Sequence, residues 1–476
     1  MVPNEGLAKP TSVKPLAVPT YPSNCLQFSK SVLETASTAS TVDRSPIILN
    51  LILVGAGMGG LATAIALAQA GHKVKIFEQT PVLGEVGAGI QIPSNSTRIL
   101  FSLGLQPYLE PYVTEPESIS FRRWQNGKVI GKTKLIPDFV NNFKASYYVI
   151  HRADFHSALC QRALDVGVKI ELGARVVNYD PLQGTITLAN GMMHSADLVV
   201  AADGIKSVAR KALLEGQEMA FIKPGFAAYR AVVDVKMMRT DPELSWILEK
   251  PALNIWIGDS RHVMTYTIGA GKAFNMVLSH PDTSDPSTWK AETALEDMKG
   301  EFRGWDPVLT KIIGMVEKTV KWPLISGSSL KRWAMGRLVI LGDAAHAMVP
   351  YMSQGAAMAV EDGIALARSL SHMRSRDQMS KAVDIFQEVR RERAGQMQEA
   401  SLLNGQLWHF ADGPLQKARD AAMAPEVEGI PFSHSPNQWS DPATQMWCYG
   451  YDAEKEIDKA WLKVETRQAS CVLPRS

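Results

Sequence analysis

The stretch that decides the fold is 47–79, IILNLILVGAGMGGLATAIALAQAGHKVKIFEQ. Its first eight residues are almost all apolar, which predicts a strand buried on both faces of a parallel sheet. A run of good helix formers follows and ends at Gly71, a residue type that commonly ends helices. A second predicted strand, 73–78, finishes on the acidic side chain of Glu78. Between the first strand and the helix stand three glycines at GxGxxG spacing: Gly55, Gly57 and Gly60.

This order of strand, glycine loop, helix, strand and acid predicts a dinucleotide-binding site. Gly55 permits a tight turn, Gly57 lets the backbone approach a pyrophosphate, and Gly60 lets the helix pack closely on the strand. The helix N-terminus then offers free N–H groups and positive dipole to the phosphates. Glu78 can accept hydrogen bonds from the ribose hydroxyls. Because its charge disfavours a 2′-phosphate, the site suits FAD or NAD rather than NADP.

The composition is that of an ordinary globular protein, with 46% hydrophobic and 21% charged residues among 476. A formal net charge of +2 favours neither nucleic acid nor an acidic surface as a partner. The four cysteines lack metal-ligand spacing and indicate reduced thiols, although one disulfide stays open. Segment 47–71 has no charged residue, but its five glycines and strand–turn–helix pattern argue against a membrane span. We expect a cytoplasmic monomer or homodimer without a transmembrane segment.

The rest of the chain shows three further sequence patterns. Residues 1–46 are rich in Ser, Thr and Pro and predict a disordered tail. Short, turn-bounded apolar runs within 226–280 predict an antiparallel sheet with one face free to cover a pocket. Helical patterns follow at 354–370 and 378–408.

Two turns later in the chain match the Gly55 loop in their position. Asp203-Gly204 ends an apolar strand predicted at 196–202, and Gly342-Asp343 ends a strand predicted at 337–341. Because the carboxyl ends of parallel strands meet at one edge of a sheet, we expect all three turns to lie together. A long cofactor along this edge would explain the three of them, whereas a plain nicotinamide dehydrogenase needs only the first.

Together these motifs resemble the FAD-dependent aromatic hydroxylases, the single-component flavoprotein monooxygenases of the para-hydroxybenzoate and salicylate hydroxylase kind. The likeness is greatest to fungal members that act on phenols, indoles or related secondary metabolites. It covers residues 50 to 460 or so and rests on VGAGMGGLATAIALAQAG…IFEQ, ADGIKSVAR and GDAAHAMVPYMSQGAAMAVEDG. The first motif is common to many nucleotide-binding folds, and the last is far more specific.

The predicted fold class is α/β, with a Rossmann-like FAD-binding domain built on a parallel sheet, an antiparallel β-sheet substrate domain and C-terminal helices. The predicted boundaries are a disordered tail at 1–46, a discontinuous FAD-binding domain at 47–220 and 322–400, a substrate domain at 221–321, and a C-terminal helical segment at 401–476.

The resemblance also implies roles for single residues. Glu78 would hold the adenosine ribose, and the 87–89 turn with Arg152 would line FAD. Asp203 would lie between the flavin and the transient NAD(P)H, and Asp343 would bind the ribitol chain. A solvated arginine and a helix N-cap are the respective alternatives for Arg152 and Asp343. The implied FAD-binding set is Gly55, Gly57, Gly60, Glu78, Ala88, Gly89, Arg152, Asp203, Asp343, Gly355 and Ala356.

The turn at 353–356 would lie under the pyrimidine edge of the flavin ring. The following helix N-terminus presents unpaired N–H groups and positive dipole there, which stabilises the negative charge of reduced flavin. Pro350 suits the sharp turn before that helix. His346, in the same motif, is better explained as packing under the loop than as a base.

Arg230 and Tyr266 are the predicted catalytic residues. Both would point from adjacent strands of the substrate domain toward the flavin. In the fungal phenol hydroxylases that this chain resembles, an arginine and a tyrosine at matching places hold the substrate as phenolate, the more electron-rich nucleophile. A surface salt bridge for Arg230 and core packing for Tyr266 are the structural alternatives.

The implied activity is that of an FAD-dependent monooxygenase. NAD(P)H, as NADPH or NADH, would reduce FAD, and O2 would form a flavin C4a-hydroperoxide that hydroxylates or epoxidises an electron-rich aromatic such as a phenol, salicylate or indole. Oxidative decarboxylation also stays open. The rival hypotheses are an NAD-dependent Rossmann dehydrogenase and a non-enzymatic, GDI-like binding protein that has lost FAD.

Overall fold

The computed structural model describes residues 43–84, 88–216 and 221–472. The predicted disordered tail therefore lies outside the described residues except for 43–46, and Gly87 lies outside them too. The strands in the described ranges are β1 Asn50–Val54, β2 Lys73–Phe77, β3 Gly89–Ile92, β4 Ser118–Arg123, β5 Val129–Lys134, β6 Tyr148–His151, β7 Lys169–Glu171, β8 Val176–Asp180, β9 Thr185–Leu188, β10 Met193–Ser195, β11 Leu198–Ala201, β12 Phe221–Ile222, β13 Phe226–Asp234, β14 Ala252–Gly258, β15 Arg261–Ile268, β16 Ala273–Pro281, β17 Thr319–Pro323, β18 Ser326–Gly327, β19 Ala334–Met335 and β20 Leu338–Ile340.

The helices connect and cover these strands. They are α1 Met58–Gln69, α2 Ser94–Ser102, α3 Gln106–Leu109, α4 Asp138–Phe143, α5 Arg152–Asp165, α6 Val208–Leu213, α7 Val235–Arg239, α8 Ala294–Glu301, α9 Pro307–Gly314, α10 Asp343–His346, α11 Gly355–Ser371, α12 Met379–Trp408, α13 Pro414–Glu428, α14 Pro442–Tyr449 and α15 Ala453–Val472. No helix in the described ranges combines the length and apolarity that a membrane span needs.

The first sheet has the strand order β19-β20-β11-β1-β2-β7, and its inner strands are parallel. The apolar run predicted as a doubly buried strand is β1, at the centre of this sheet. The three turns converge because β1, β11 and β20, which precede them, are neighbours. The α/β fold with a parallel sheet is therefore confirmed.

The second sheet is antiparallel over most of its width, in the order β17-β13-β16-β15-β14-β4-β5. The four strands predicted within 226–280 are its centre. The β4–β5 hairpin, which the sequence boundaries place with the FAD-binding domain, joins this sheet through a parallel pairing of β4 with β14. The second sheet therefore combines strands from both sides of residue 221.

The two faces of the second sheet bury different clusters. Tyr229, Ala231 and Val233 of β13 point to one face, where they pack with residues of α8 and α9. Met264 and Tyr266 of β15 point to the other, where their cluster includes residues of α11 and the C-terminal segment. Because neighbouring residues of a strand alternate in direction, Arg230 points to the same face as Met264 and Tyr266.

Helices α1 and α11 cross at very close range. A Cβ on Gly363 would lie 2.8 Å from the Cα of Thr63, and one on Gly59 would lie 2.8 Å from the Cβ of Ala359. Close packing of this kind brings the N-termini of the two helices, which follow the Gly55 loop and the 353–356 turn, into one layer. C-terminal helix α15 covers the far end of α11, where the Trp461 indole donates to the Ser369 hydroxyl at 3.0 Å.

Candidate active site

The glycine loop after β1 has the geometry of a pyrophosphate site. Gly55 has φ +100°, and a Cβ on it would lie 2.4 Å from the carbonyl oxygen of Ala202. A Cβ on Gly60 would lie 2.1 Å from the carbonyl oxygen of Gly55, whereas one on Gly57 would meet nothing within 4 Å. Gly57 is the N-cap of α1 and leaves its first N–H groups without a side-chain partner. The open space beside Gly57 therefore fits the pyrophosphate of FAD.

Gly60→Ala is expected to weaken FAD binding by roughly one to two orders of magnitude. The added methyl must displace the Gly55 carbonyl, and overpacking of this size costs about 1–3 kcal/mol. The flavin content of the purified protein and a titration of the apoprotein with FAD measure the effect. Gly300→Ala is a matched control, since a Cβ on this helical glycine of α8 would meet nothing within 4 Å. Equal flavin affinity in both variants would contradict the assignment.

Glu78 directly follows β2 and braces the glycine loop. Its carboxylate accepts hydrogen bonds from the backbone N–H of Ala56 at 2.7 Å and of Thr80 at 2.8 Å. The His156 ring, buried on α5, makes a 2.7 Å hydrogen bond to the carbonyl oxygen of Ala56. Each carboxylate oxygen keeps a second lone pair, so bracing and ribose binding are compatible. The sequence did not predict the loop-bracing contacts.

Asp203 also has a structural role besides the predicted one. One carboxylate oxygen accepts from the N–H groups of Val208 and Ala209, at 2.9 and 3.1 Å, and from the Tyr179 hydroxyl at 3.2 Å. The other oxygen is buried and has no partner among the described residues. A position between flavin and nicotinamide stays a prediction for Asp203.

Asp343 opens α10 and is exposed at the edge where the three turns meet. The alternative that it caps a helix is wrong, because Gly342 is the N-cap of α10 and no side chain caps this helix. Arg210 of α6 links the two neighbouring turns, since its guanidinium donates to the Ala344 carbonyl at 3.0 Å and to the Ile205 carbonyl. The exposed carboxylate of Asp343 is consistent with an acceptor for the ribitol hydroxyls.

The turn at 353–356 presents the N-terminus of the 17-residue helix α11. Ser353 has φ 55°, and Gln354 is the N-cap but makes no capping bond with its side chain. The first backbone bond within the helix runs from the Met358 N–H to the Gln354 carbonyl at 2.7 Å. The N–H groups of Gly355 and Ala356 therefore have no partner within the helix, which suits the edge of an anionic ring.

Gly89 brings the two sheets together beside the predicted FAD site. Its N–H donates to the side-chain oxygen of Asn275 on β16 at 2.7 Å. A Cβ on Gly89 would lie 2.4 Å from the Tyr266 ring, so only glycine fits. The N–H of Arg152 donates to the Ala88 carbonyl at 3.2 Å. The structure therefore places Ala88, Gly89 and Arg152 together, as the FAD-lining prediction requires.

Arg230 and Tyr266 share a sheet face, but the prediction that they lie on adjacent strands is wrong. Strand β16 runs between β13 and β15, and Val277 pairs with Arg230 on one side and Met264 on the other. The prediction failed because the order of strands along the chain does not reveal that β16 inserts between β13 and β15. Arg230 is half-buried, and Tyr266 is buried against Gly89.

The electrostatics of Tyr266 keep its hydroxyl protonated. Burial raises its pKa well above the ordinary value, and the nearby positive charge of Arg230 and the Gln91 side chain only partly oppose this. The Tyr147 hydroxyl donates to the Gln91 side-chain oxygen, and burial also raises the pKa of Tyr147 well above its ordinary value. This sheet face therefore carries neutral tyrosine hydroxyls close to the positive charge of Arg230.

A histidine pair on the same sheet face was not predicted. His262 Nδ1 lies 2.8 Å from His409 Nε2, and the rings stack. Burial lowers the pKa of both, that of His409 to about 3, so the pair is neutral near pH 7. His262 and Tyr266 are four residues apart in one strand, so the sequence showed that they share a sheet face. It did not show which of the two faces this is.

A buried ion cluster beneath the 353–356 turn was also missed. Glu361 and Asp362 of α11 and Arg390 of α12 all have no exposed surface. His346 belongs to this cluster through a 2.6 Å bond to Asp362, which agrees with its predicted structural role. The available signal was the pair of adjacent acids in the otherwise apolar segment AAMAVEDGIALA, because acids there need buried cations.

Known proteins resemble this chain in sequence and in fold. A family model described as FAD binding domain matches residues 49–401. The FAD-dependent monooxygenase OpS4 of Beauveria bassiana (strain ARSEF 2860) is 34% identical over 416 residues, 87% of this chain and 97% of its own. The 6-hydroxynicotinate 3-monooxygenase of Pseudomonas fluorescens is 34% identical over 361 residues, 74% of this chain and 90% of its own. The crystal structure of CtdE with FAD and a substrate has a TM-score of 0.74 at 24% identity, covers 88% of this chain and 100% of that one, and shares the fold.

Proposed function

The chain belongs to the FAD-binding-domain family of FAD-dependent monooxygenases, and from this premise we propose that it uses NAD(P)H and O2 to hydroxylate an electron-rich aromatic ring. Family membership contradicts the hypothesis of a dehydrogenase that uses NAD alone. The intact glycine loop with Asp203 and Asp343 argues against a binding protein that has lost FAD. The proposed substrate is a phenol-like small molecule, with salicylates and indoles as related candidates. Epoxidation is the proposed variant of the same chemistry, and secondary metabolism the proposed setting.

The observation that carries the proposal is the placement of Arg230 and Tyr266. Both point from the second sheet toward the side on which Gly89 and the predicted FAD-binding edge lie. A guanidinium and a protonated hydroxyl in a largely buried wall are suited to bind a phenolate oxygen. A surface salt bridge for Arg230 and core packing for Tyr266 are the alternatives, and the activity of variants at the two positions distinguishes them from the proposed role.

The residues around this wall have distinct tasks in the proposed reaction. When bound, FAD would accept the hydride and activate O2. Arg230 favours the ionised form of the substrate hydroxyl, which makes the ring a stronger nucleophile. Tyr266 keeps its proton and donates it in a hydrogen bond to the same oxygen. The apolar side chains of Met264 and Val277 beside them exclude water from the ring.

Substrate-stimulated consumption of NAD(P)H tests this function. The purified protein should be yellow and oxidise NADH or NADPH slowly alone, and faster with a suitable phenol, salicylate or indole. The product should carry one added oxygen by mass, derived from ¹⁸O2. NADH and NADPH are compared in parallel, because Glu78 bears on the FAD ribose and does not select the transient nicotinamide. Faster oxidation that yields only hydrogen peroxide with every aromatic tested would contradict the proposal.

A further inference from the structure

Three fully buried charged residues join α11, the helix that is predicted to face the flavin, to α12: Glu361 and Asp362 on α11, and Arg390 on α12. Arg390 donates from Nη1 to the Glu361 carboxylate at 2.7 Å and from Nε to the Asp362 carboxylate at 2.8 Å. Burial alone would raise the pKa of Asp362, but His346 and Arg390 hold it at about 2. Burial alone would lower the pKa of Arg390, yet Glu361 and Asp362 raise it. Asp362 and Arg390 are therefore both charged in the folded protein.

Asp362 connects this cluster to the turn that carries Asp343. Its Oδ2 accepts from the backbone N–H of Gly342 at 3.0 Å and from His346 Nε2 at 2.6 Å. Because the ionised carboxylate can only accept, His346 Nε2 is the donor in this bond. The start and the end of α10 are thus both fixed to one carboxylate.

Glu361 connects the same cluster to the 353–356 turn. The Asn95 side-chain NH₂ donates to the Glu361 carboxylate at 2.7 Å and to the Gln354 side-chain oxygen at 2.9 Å. Gln354 is the N-cap of α11, but its side chain makes no capping bond. Both amides are buried, Asn95 with no exposed surface and Gln354 with 1%. The Gln354 side chain therefore acts as a tether between the turn and the charges.

We propose that Asn95 and Gln354 are positioning residues that set the N-terminus of α11 against the flavin ring and so tune its reduction potential. The proposal rests on the expected place of the 353–356 turn at the ring. Glu361 and Asp362, adjacent on α11, connect to the 353–356 turn and to the Gly342-Asp343 turn respectively, and Arg390 binds both acids. With the tether removed, the unpaired N–H groups of Gly355 and Ala356 move relative to the ring. Reduced, anionic flavin then loses more stabilisation than oxidised flavin.

Gln354→Ala and Asn95→Ala in the holoenzyme test the tether. The affinity for reduced FAD should fall about tenfold more than that for oxidised FAD, which lowers the two-electron midpoint potential by about 30 mV. Spectroelectrochemical titration measures the potential, and FAD titration of the apoprotein measures the affinity for the oxidised form. Gln354→Ala leaves the Asn95–Glu361 bond and all buried charges in place. It therefore decides the question even where Asn95→Ala does not fold.

Ser369→Ala is the matched control at the other end of the same helix. The Ser369 hydroxyl is fully buried, donates to the Ala382 carbonyl at 2.7 Å and accepts from Trp461. This variant should melt earlier than the wild type and keep its potential. A wild-type potential in Gln354→Ala would overturn the proposal. Neither measurement uses an aromatic substrate, so absent hydroxylation in the wild type would overturn the proposed function and leave this inference standing.

Discussion

Arg230→Ala is expected to lower kcat/KM for the aromatic substrate by about two to three orders of magnitude, while the protein stays yellow. The guanidinium points from β13 to the sheet face that bears Tyr266, and no other described cation lies beside it in the register of the three central strands. Without it, the substrate must ionise beside a neutral hydroxyl in a buried wall, where an isolated charge is costly. Steady-state oxidation of NAD(P)H with and without substrate measures the loss.

Arg261→Ala is the matched control for this substitution. Arg261 lies in the same sheet but points to the opposite face, where it forms a partly exposed ion pair with Glu301 at 2.8 Å. Its loss should change activity by less than about twofold, because such pairs contribute little. Colourless Arg230→Ala protein would show instead that Arg230 holds the cofactor. Arg230→Ala with wild-type kcat/KM would contradict the phenolate role.

Most of the first sheet could be predicted from the sequence because its signals are local. The apolar run at 47–54, the glycines and the acid at 78 stand within one continuous segment, and each reports on its own turn or strand. The expectation that Asp203 and Asp343 approach Gly55 needed only the rule that parallel strands end at a common edge. The neighbouring positions of β11, β1 and β20 confirm it.

The second sheet could be predicted less well because strand pairing is non-local. The β4–β5 hairpin carries a local turn signal, Asn126-Gly127, but nothing within it indicates that β4 pairs with β14, more than 130 residues later. The same limit led to the error that Arg230 and Tyr266 stand on adjacent strands. Their common face, in contrast, follows from alternation once the register is known.

The candidate site divides in the same way. Residues with a motif of their own, such as Gly57 and Asp343, could be assigned roles from the sequence. Asn95 and Arg390 could not, because their importance arises only where α2, α11 and α12 meet. Their roles depend on partners that are distant in the chain.

Arg390→Met is expected to lower the free energy of unfolding by about 3–5 kcal/mol, because it leaves two buried carboxylates with an incomplete set of partners. Methionine fills much of the same space, so the loss is electrostatic rather than a cavity. Arg393 stays near Glu361 at 3.5 Å, but Asp362 keeps only His346 and a backbone N–H. Urea denaturation of the holoprotein followed by tryptophan fluorescence measures the change. FAD should also bind more weakly, since both turns that are predicted to face the flavin are fixed to these acids.

Arg368→Met on α11 is the control for charge loss alone. Arg368 pairs with Asp458 and Asp43, and all three side chains are partly exposed, so its removal should cost no more than about 1 kcal/mol.

The pH dependence of the unfolding free energy also distinguishes Arg390→Met from Arg368→Met. In the wild type, Asp362 has a pKa lowered to about 2, so its stabilising contribution is complete above the pKa of an unfolded aspartate and is lost as the pH falls through 2. In Arg390→Met, burial instead raises the pKa of Asp362, and protonation relieves the uncompensated charge. The deficit in unfolding free energy should therefore be largest near pH 7 and shrink toward pH 4, whereas a deficit that is constant with pH would mean that Arg390 acts through packing.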